Sequence, residues 1–305
     1  MNSSRELGLA ARAALAITAE QVKQLRERTG AGMADCKKAL EEANGDENLA
    51  IDWLRKKGAA SAAKRADRVA KEGAVVAAVS ADGKKAIIAE VNSETDFVAR
   101  NESFVQFAQD IANAALAASP NSREEFMMVK LSNGVSIEEE VGAQTGRLGE
   151  KIEARRYEVL AAGGTVASYI HPGAKLGVLV AIEGGHGEKA VSIGRDVAMQ
   201  VAAMNPLALG RDQLSKETIE KEIEIIKTQL RNEGKKEEMI ERIATGKLEK
   251  FYQDYCLLEQ SFIKDAAKTI NDILKENELT VTGYIRMQLG EGVHHTEAVE
   301  ETAVA

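Results

Sequence analysis

The chain has 305 residues, is 44% hydrophobic and 29% charged, and carries a formal net charge of −8. That length suits two or three small domains with separate cores, and the acidic balance supplies no overall basic field for nucleic acid. Two cysteines, Cys36 and Cys256, lie far apart without a CxxC or Cys/His cluster, which fits a reducing, cytosolic compartment; no apolar run reaches the length of a bilayer span.

Residues 1–16, "MNSSRELGLAARAALA", read as an extension expected to be disordered. An organellar transit peptide would be rich in Arg and Ser and poor in acids, a weak match here. Residues 17–58 read as three short helices. Thr18 and Gln21 form a capping box, Val22 and Leu25 supply an apolar face, and Gly30 ends the first helix. Cys36, Ala39, Leu40 and Ala43 recur at helical spacing in the second. Asp46 caps the third, which carries Leu49, Ala50, Trp53 and Leu54 and is expected to stop before Gly58. So small a bundle has little interior for an active site, so it reads as a docking module. Residues 59–72, "AASAAKRADRVAKE", read as a solvated, basic helical linker.

An internal repeat follows. "AVVAAVSADGKKAIIAEV" (74–91) aligns without a gap on "TVASYIHPGAKLGVLVAI" (165–182), at an offset of 91. Each stretch is two apolar runs around a turn, a β-hairpin pattern. Each hairpin leads into a helix, and there Asp110 matches Asp196 and Pro120 matches Pro206 at an offset of 86. The first copy therefore carries five extra residues between hairpin and helix, within 92–103. That segment contains Thr95, Asp96, Phe97 and Val98, so Phe97 is expected on a protrusion and not in the core.

A second insertion, 212–259, reads as two charged helices joined at "NEGKK". Ile219, Ile223, Ile226 and Leu230 make a narrow seam, expected to pair with Ile240, Ile243, Leu248 and Phe251 of the returning helix. The second copy then resumes with a helix, "AAKTINDILKEN", and a strand, "TVTGYIRMQL", before a polar tail over 292–305. The fold class is α+β, with a core of two related subdomains at 73–163 and at 164–211 plus 260–291.

"TGAGMADCKK" lacks the spacing and the preceding strand of a phosphate-binding loop, so no direct nucleotide binding is expected. The four histidines, His171, His186, His294 and His295, have no ligand set at metal spacing, and no metal or cofactor is expected. His171 sits in a hairpin turn, as a turn residue or a partner contact. Two other classes stay open: an enzyme using His171 with a carboxylate, and an RNA-binding protein using the basic residues of 55–71.

The stretches "ITAEQVKQLRERTGAGMADCKKALEEANGD" and "TDFVARNE", followed by "YIHPG", "GVLVAIEG", "DVAMQVAAMNP" and "VTGYIRMQLGEG", closely resemble the bacterial elongation factor Ts family from Ile17 to Gly292. The resemblance implies a bacterial, cytoplasmic nucleotide exchange factor for elongation factor Tu, without covalent chemistry. It also implies a ubiquitin-associated-like helical bundle and a coiled-coil arm. In the family, the Asp-Phe of this motif enters the nucleotide domain of elongation factor Tu near its Mg²⁺, a role that would fall to Asp96 and Phe97, flanked by Thr95 and Val98. Family contact positions match Arg26, Met33, Lys37 and His171. The chain departs at Ala34, where several relatives carry methionine, and in its shorter tail. Neither membrane nor nucleic acid is an implied partner; a homodimer or a 2:2 assembly with elongation factor Tu stays open.

Overall fold

A computed structural model describes residues 17–292; the extension 1–16, most of the tail and His294–His295 lie outside the described residues. Helices α1 (Ala19–Thr29), α2 (Met33–Glu42) and α3 (Glu47–Lys64) enclose a small core of Val22, Leu25, Cys36, Ala39, Leu40 and Ala50. Thr18 and Gln21 close a capping box on α1, and Gly30 takes the left-handed conformation that ends it.

The third helix departs from expectation. It does not stop before Gly58 but runs on to Lys64, so over 59–64 the expected helical linker is a largely exposed continuation of α3, while residues 65–71 are not helical. Gly58 is buried against the backbone of α7 (Ile137–Leu148). A Cβ built on Gly58 would stand 2.9 Å from the Gly142 carbonyl oxygen, and one on Gly146 would stand 3.2 Å from the Gly58 Cα. The absence of side chains lets the two helices cross nearly backbone to backbone.

Strands β1 (Glu72–Val79), β2 (Lys85–Ser93) and β3 (Glu153–Ala161) form one antiparallel sheet in that order. Strands β4 (Thr165–Ile170), β5 (Leu176–Glu183) and β8 (Thr280–Gln288) form a second. The sheets pack face to face through Val75, Ala86 and Ile88 on one and Val166, Leu179 and Met287 on the other. Helix α5 (Glu102–Ala118) covers the outer face of the first sheet, with Phe104, Phe107 and Ile111 against Val76, Ile87 and Ala89. Helix α8 (Gly187–Met204) covers the second, with Val197 and Val201 against Val180 and Ile182. Because β2 and β5 are buried on both faces, they read as continuous apolar runs.

The two halves repeat in detail. Register shifts fall at Glu90/Val91 opposite β3 and at Ala181/Ile182 opposite β8. Tyr157 on β3 donates to the Pro120 carbonyl at 2.9 Å, and Tyr284 on β8 donates to the Pro206 carbonyl at 2.7 Å. Between Pro120 and β3 lie two elements the sequence pattern did not reveal, α6 (Arg123–Met128) and α7, and β3 itself was missed.

In the second half the chain leaves the body as α9 (Lys216–Asn232) and returns as α10 (Glu237–Tyr255). Ile226 and Leu230 pack on Ile240 and Ala244, and Ile219 joins Leu248 and Phe251 nearer the base. The arm is shorter than the 212–259 expectation: Leu257 is buried in the core of the second half, so the returning chain rejoins the body by then. The segment expected to be one helix from Ala266 also differs. It is a strand, β7 (Asp265–Thr269), paired with β6 (Ser261–Phe262), followed by α11 (Ile270–Glu276).

Candidate functional site

Eight residues separate β2 from α5, against three between β5 and α8, so the extra length sits at residues 94–101. Part of it coils into a four-residue helix, α4 (Asp96–Ala99), with Thr95 as N-cap. So short a helix has no independent stability; tertiary contacts hold it. Ala99 is buried, and Val98 packs against the core under α5. Phe97 points the other way and is 84% exposed. Asp96 pairs with Arg100 at 3.0 Å, an exposed pair of small energetic weight.

The floor beneath α4 is a knot of three segments. The Thr95 amide donates to Glu150 Oε2 at 3.0 Å, and its hydroxyl donates to Glu150 Oε1 at 2.6 Å. The Lys151 amide donates to Glu94 Oε1 at 2.6 Å, and Arg68 pairs with Glu94 at 3.3 Å. Lys151 Nζ donates to the carbonyls of Ala66 and Arg68, at 2.7 and 2.9 Å. Sequence reasoning missed Glu150, Glu94 and Lys151; they are loop charges without periodicity, and no local signal ties 150 to 95.

The other expected site residues lie on two further elements. Arg26 on α1 is exposed; Met33, the first residue of α2, is 47% exposed; Lys37 follows one turn later, 3.8 Å from Glu41. His171 is exposed in the β4–β5 turn, its Nδ1 2.8 Å from the Tyr169 hydroxyl and the two rings edge to face. Its hydrogen-bonded neighbour is thus a phenol and not the carboxylate a hydrolytic dyad would use.

A cleft of about 420 Å³ opens between α1–α3 and α7. Its charges largely answer one another: Lys57 pairs with Asp35, and Arg147 with Glu140 at 3.4 Å. It is the seam beside the α3–α7 crossing. Within the basic 55–71 stretch, Lys57 and Arg68 are engaged by Asp35 and Glu94. Among the described residues no cluster of three or more His, Cys, Asp or Glu could hold a metal ion, and no helix is long and apolar enough to cross a membrane. Cys36 is buried, and that burial pushes its thiol pKa up, away from reactivity.

A family model described as "Elongation factor TS" matches residues 94–291. The chain is 45% identical over 285 residues to "Elongation factor Ts" of Chloroherpeton thalassium, covering 90% of this chain and 99% of that one. It is 46% identical over 284 residues to the protein of that name from Chlorobium phaeobacteroides, with coverage of 90% and 99%. For the one from Halothermothrix orenii the identity is 44% over 285 residues, covering 93% of this chain and 95% of the other.

Proposed function

We propose that this chain, which belongs to the elongation factor Ts family, is a cytoplasmic guanine nucleotide exchange factor that binds elongation factor Tu and speeds its release of GDP. The observation that carries this reading is Phe97: a large apolar ring 84% exposed on a helix whose next two residues, Val98 and Ala99, are held to the core. An aromatic presented in this way is ready to fill a pocket on another protein, where such residues contribute most of the binding energy.

No covalent step is involved. By linkage, a factor that prefers nucleotide-free Tu weakens GDP binding as much as GDP weakens binding of the factor. Phe97 enters an apolar pocket of Tu, and Asp96, released from Arg100, follows it. Thr95 and Val98 fix the segment from below. The elements of Tu that hold Mg²⁺ shift, and without the ion's charge the diphosphate is held less tightly. Arg26, Met33 and Lys37 supply a second contact, from a ubiquitin-associated-like docking unit that we place at 17–64. His171 supplies a third from the second of two related subdomains. The α9–α10 pair is a peripheral coiled-coil arm.

The test is release of fluorescent GDP from Tu with and without the full chain. Phe97→Ala is expected to slow factor-stimulated release by about 30-fold, the equivalent of about 2 kcal/mol for a central aromatic. Its thermal melt should be unchanged, because the ring buries little in its own fold. Unaltered release by a folded Phe97→Ala protein would remove the wedge from the mechanism.

A further inference from the structure

We propose that Glu150 is the positioning residue of the Phe97 wedge, acting through Thr95; the proposal rests on the reading of Phe97 given above. A helix of one turn cannot set its own orientation. Its angle must come from its cap and from what lies beneath it. Thr95 is that cap, and both of its hydrogen-bond donors go to one carboxylate, the amide to Oε2 at 3.0 Å and the hydroxyl to Oε1 at 2.6 Å. Two charge-assisted bonds in parallel fix direction as well as distance. With its proton committed to Glu150, the Thr95 hydroxyl oxygen turns its lone pairs toward the Val98 amide, 3.5 Å away, and closes the first turn. Phe97 lies between these two fixed residues.

Glu150 is in turn set by the element before it. Helix α7 ends at Gly149, whose φ of 75° turns the chain sharply into Glu150. Lys151 then holds Glu94 through its amide and the carbonyls of Ala66 and Arg68 through its ammonium. The same α7 receives α3 of the docking unit at Gly58, Gly142 and Gly146. One segment, α7 and the turn that follows it, therefore carries both the seat of the docking unit and the anchor of the wedge. The two contacts with a partner are thus linked through one packed segment, which couples docking at α1–α2 to the placing of Phe97.

The experiment is a double-mutant cycle of Glu150→Ala with Phe97→Ala in the full chain. It reads the maximal rate of GDP release, affinity for nucleotide-free Tu, and hydrogen exchange at the Thr95 amide of the free protein. Removing both bonds is expected to deprotect that amide, lower the maximal rate by about tenfold and weaken affinity for nucleotide-free Tu by a similar factor. Added to Phe97→Ala, Glu150→Ala should do nothing further, since a ring that is absent cannot be misplaced. If Phe97→Ala slows release but Glu150→Ala costs the same factor in both backgrounds, Glu150 acts independently of the ring and the proposal fails alone. A deprotected Thr95 amide with a wild-type release rate overturns it as well. If Phe97→Ala has no effect, the wedge reading falls and this inference with it. Glu150→Gln repeats the cycle should the alanine variant lose its fold by circular dichroism. It keeps the size of the side chain but sets an amide donor against one of the Thr95 donors.

Discussion

At the scale of single residues, the exposed groups of interest are each held by a second residue that does not reach the surface role itself. Phe97 stands on Thr95, and His171 stands on Tyr169. In the second pair the imidazole nitrogen is a better acceptor than a phenol oxygen, so the Tyr169 hydroxyl donates to Nδ1 across the 2.8 Å contact. With Nδ1 as the acceptor, the N–H of the ring is on Nε2. Tyr169→Phe removes the constraint and leaves the β4–β5 register untouched, because the turn is closed by backbone bonds such as His171 N–H to the Leu176 carbonyl at 2.8 Å. Nitrogen-15 spectra of the variant should show His171 moving from the Nε2–H form toward a mixture of tautomers, with a slowing of GDP release of about threefold, a fraction of one hydrogen bond. An unchanged tautomer would mean that Tyr169 does not set it.

At the scale of elements, the α3–α7 crossing makes a prediction whose sign separates packing from propensity. Alanine is the better helix former by about 1 kcal/mol, so Gly58→Ala in an unpacked linker helix would stabilise the chain. In this fold the new Cβ meets the Gly142 carbonyl at 2.9 Å, against backbone that cannot swing aside. The expected result is a loss of about 1–3 kcal/mol in urea denaturation, as for an overpacked core; a gain would show that Gly58 is not packed on α7. The same glycines explain why α7 was illegible in the sequence. "IEEEVGAQTGRL" spends its contact face on Gly142 and Gly146 and so shows no apolar stripe, just as Gly58 looked like a helix stop. The hairpins and the arm seam were legible because their own residues bury each other at fixed periods, and the α1 cap because its two partners lie three residues apart. Strand β3 was not, because its register shift opposite Glu90/Val91 leaves Arg155 unpaired and breaks the alternation, setting two adjacent arginines toward one carboxylate. Of the candidate site, Phe97 could be read from the five-residue excess, while Glu150 could not, since it meets Thr95 only in three dimensions.

At the scale of the whole molecule, the two halves meet at an apolar seam, at backbone bonds such as Val75 N–H to the Ala174 carbonyl and Val166 N–H to the Gly83 carbonyl, both 2.7 Å, and at one buried carboxylate. Glu90 on β2 is 0% exposed and accepts from Arg155 at 2.9 Å and Arg156 at 2.6 Å, both on β3. It also accepts from the Gly290 amide at 2.8 Å, just beyond β8 of the other half. The arginines reach across as well, Arg156 to the Gln288 carbonyl at 2.8 Å and Arg155 to that of Glu291 at 2.6 Å. Burial alone would raise the Glu90 pKa, but the Gly290 amide, the two guanidinium groups and Asn92 outweigh it and hold the carboxyl below its ordinary value. A carboxylate with a depressed folded-state pKa contributes stability that is fully present above the unfolded value of about 4.3. That contribution is lost as pH falls through the lower folded value. Glu90→Gln removes the charge and strands two guanidinium groups at the seam, so urea denaturation at pH 7 should show a loss of about 3 kcal/mol. Below pH of about 4 the wild-type protein is expected to lose stability faster than the variant, and the gap between them should narrow as Glu90 becomes protonated. A gap of equal size at pH 7 and at pH 3 would show that the charge of Glu90 does not hold the halves together.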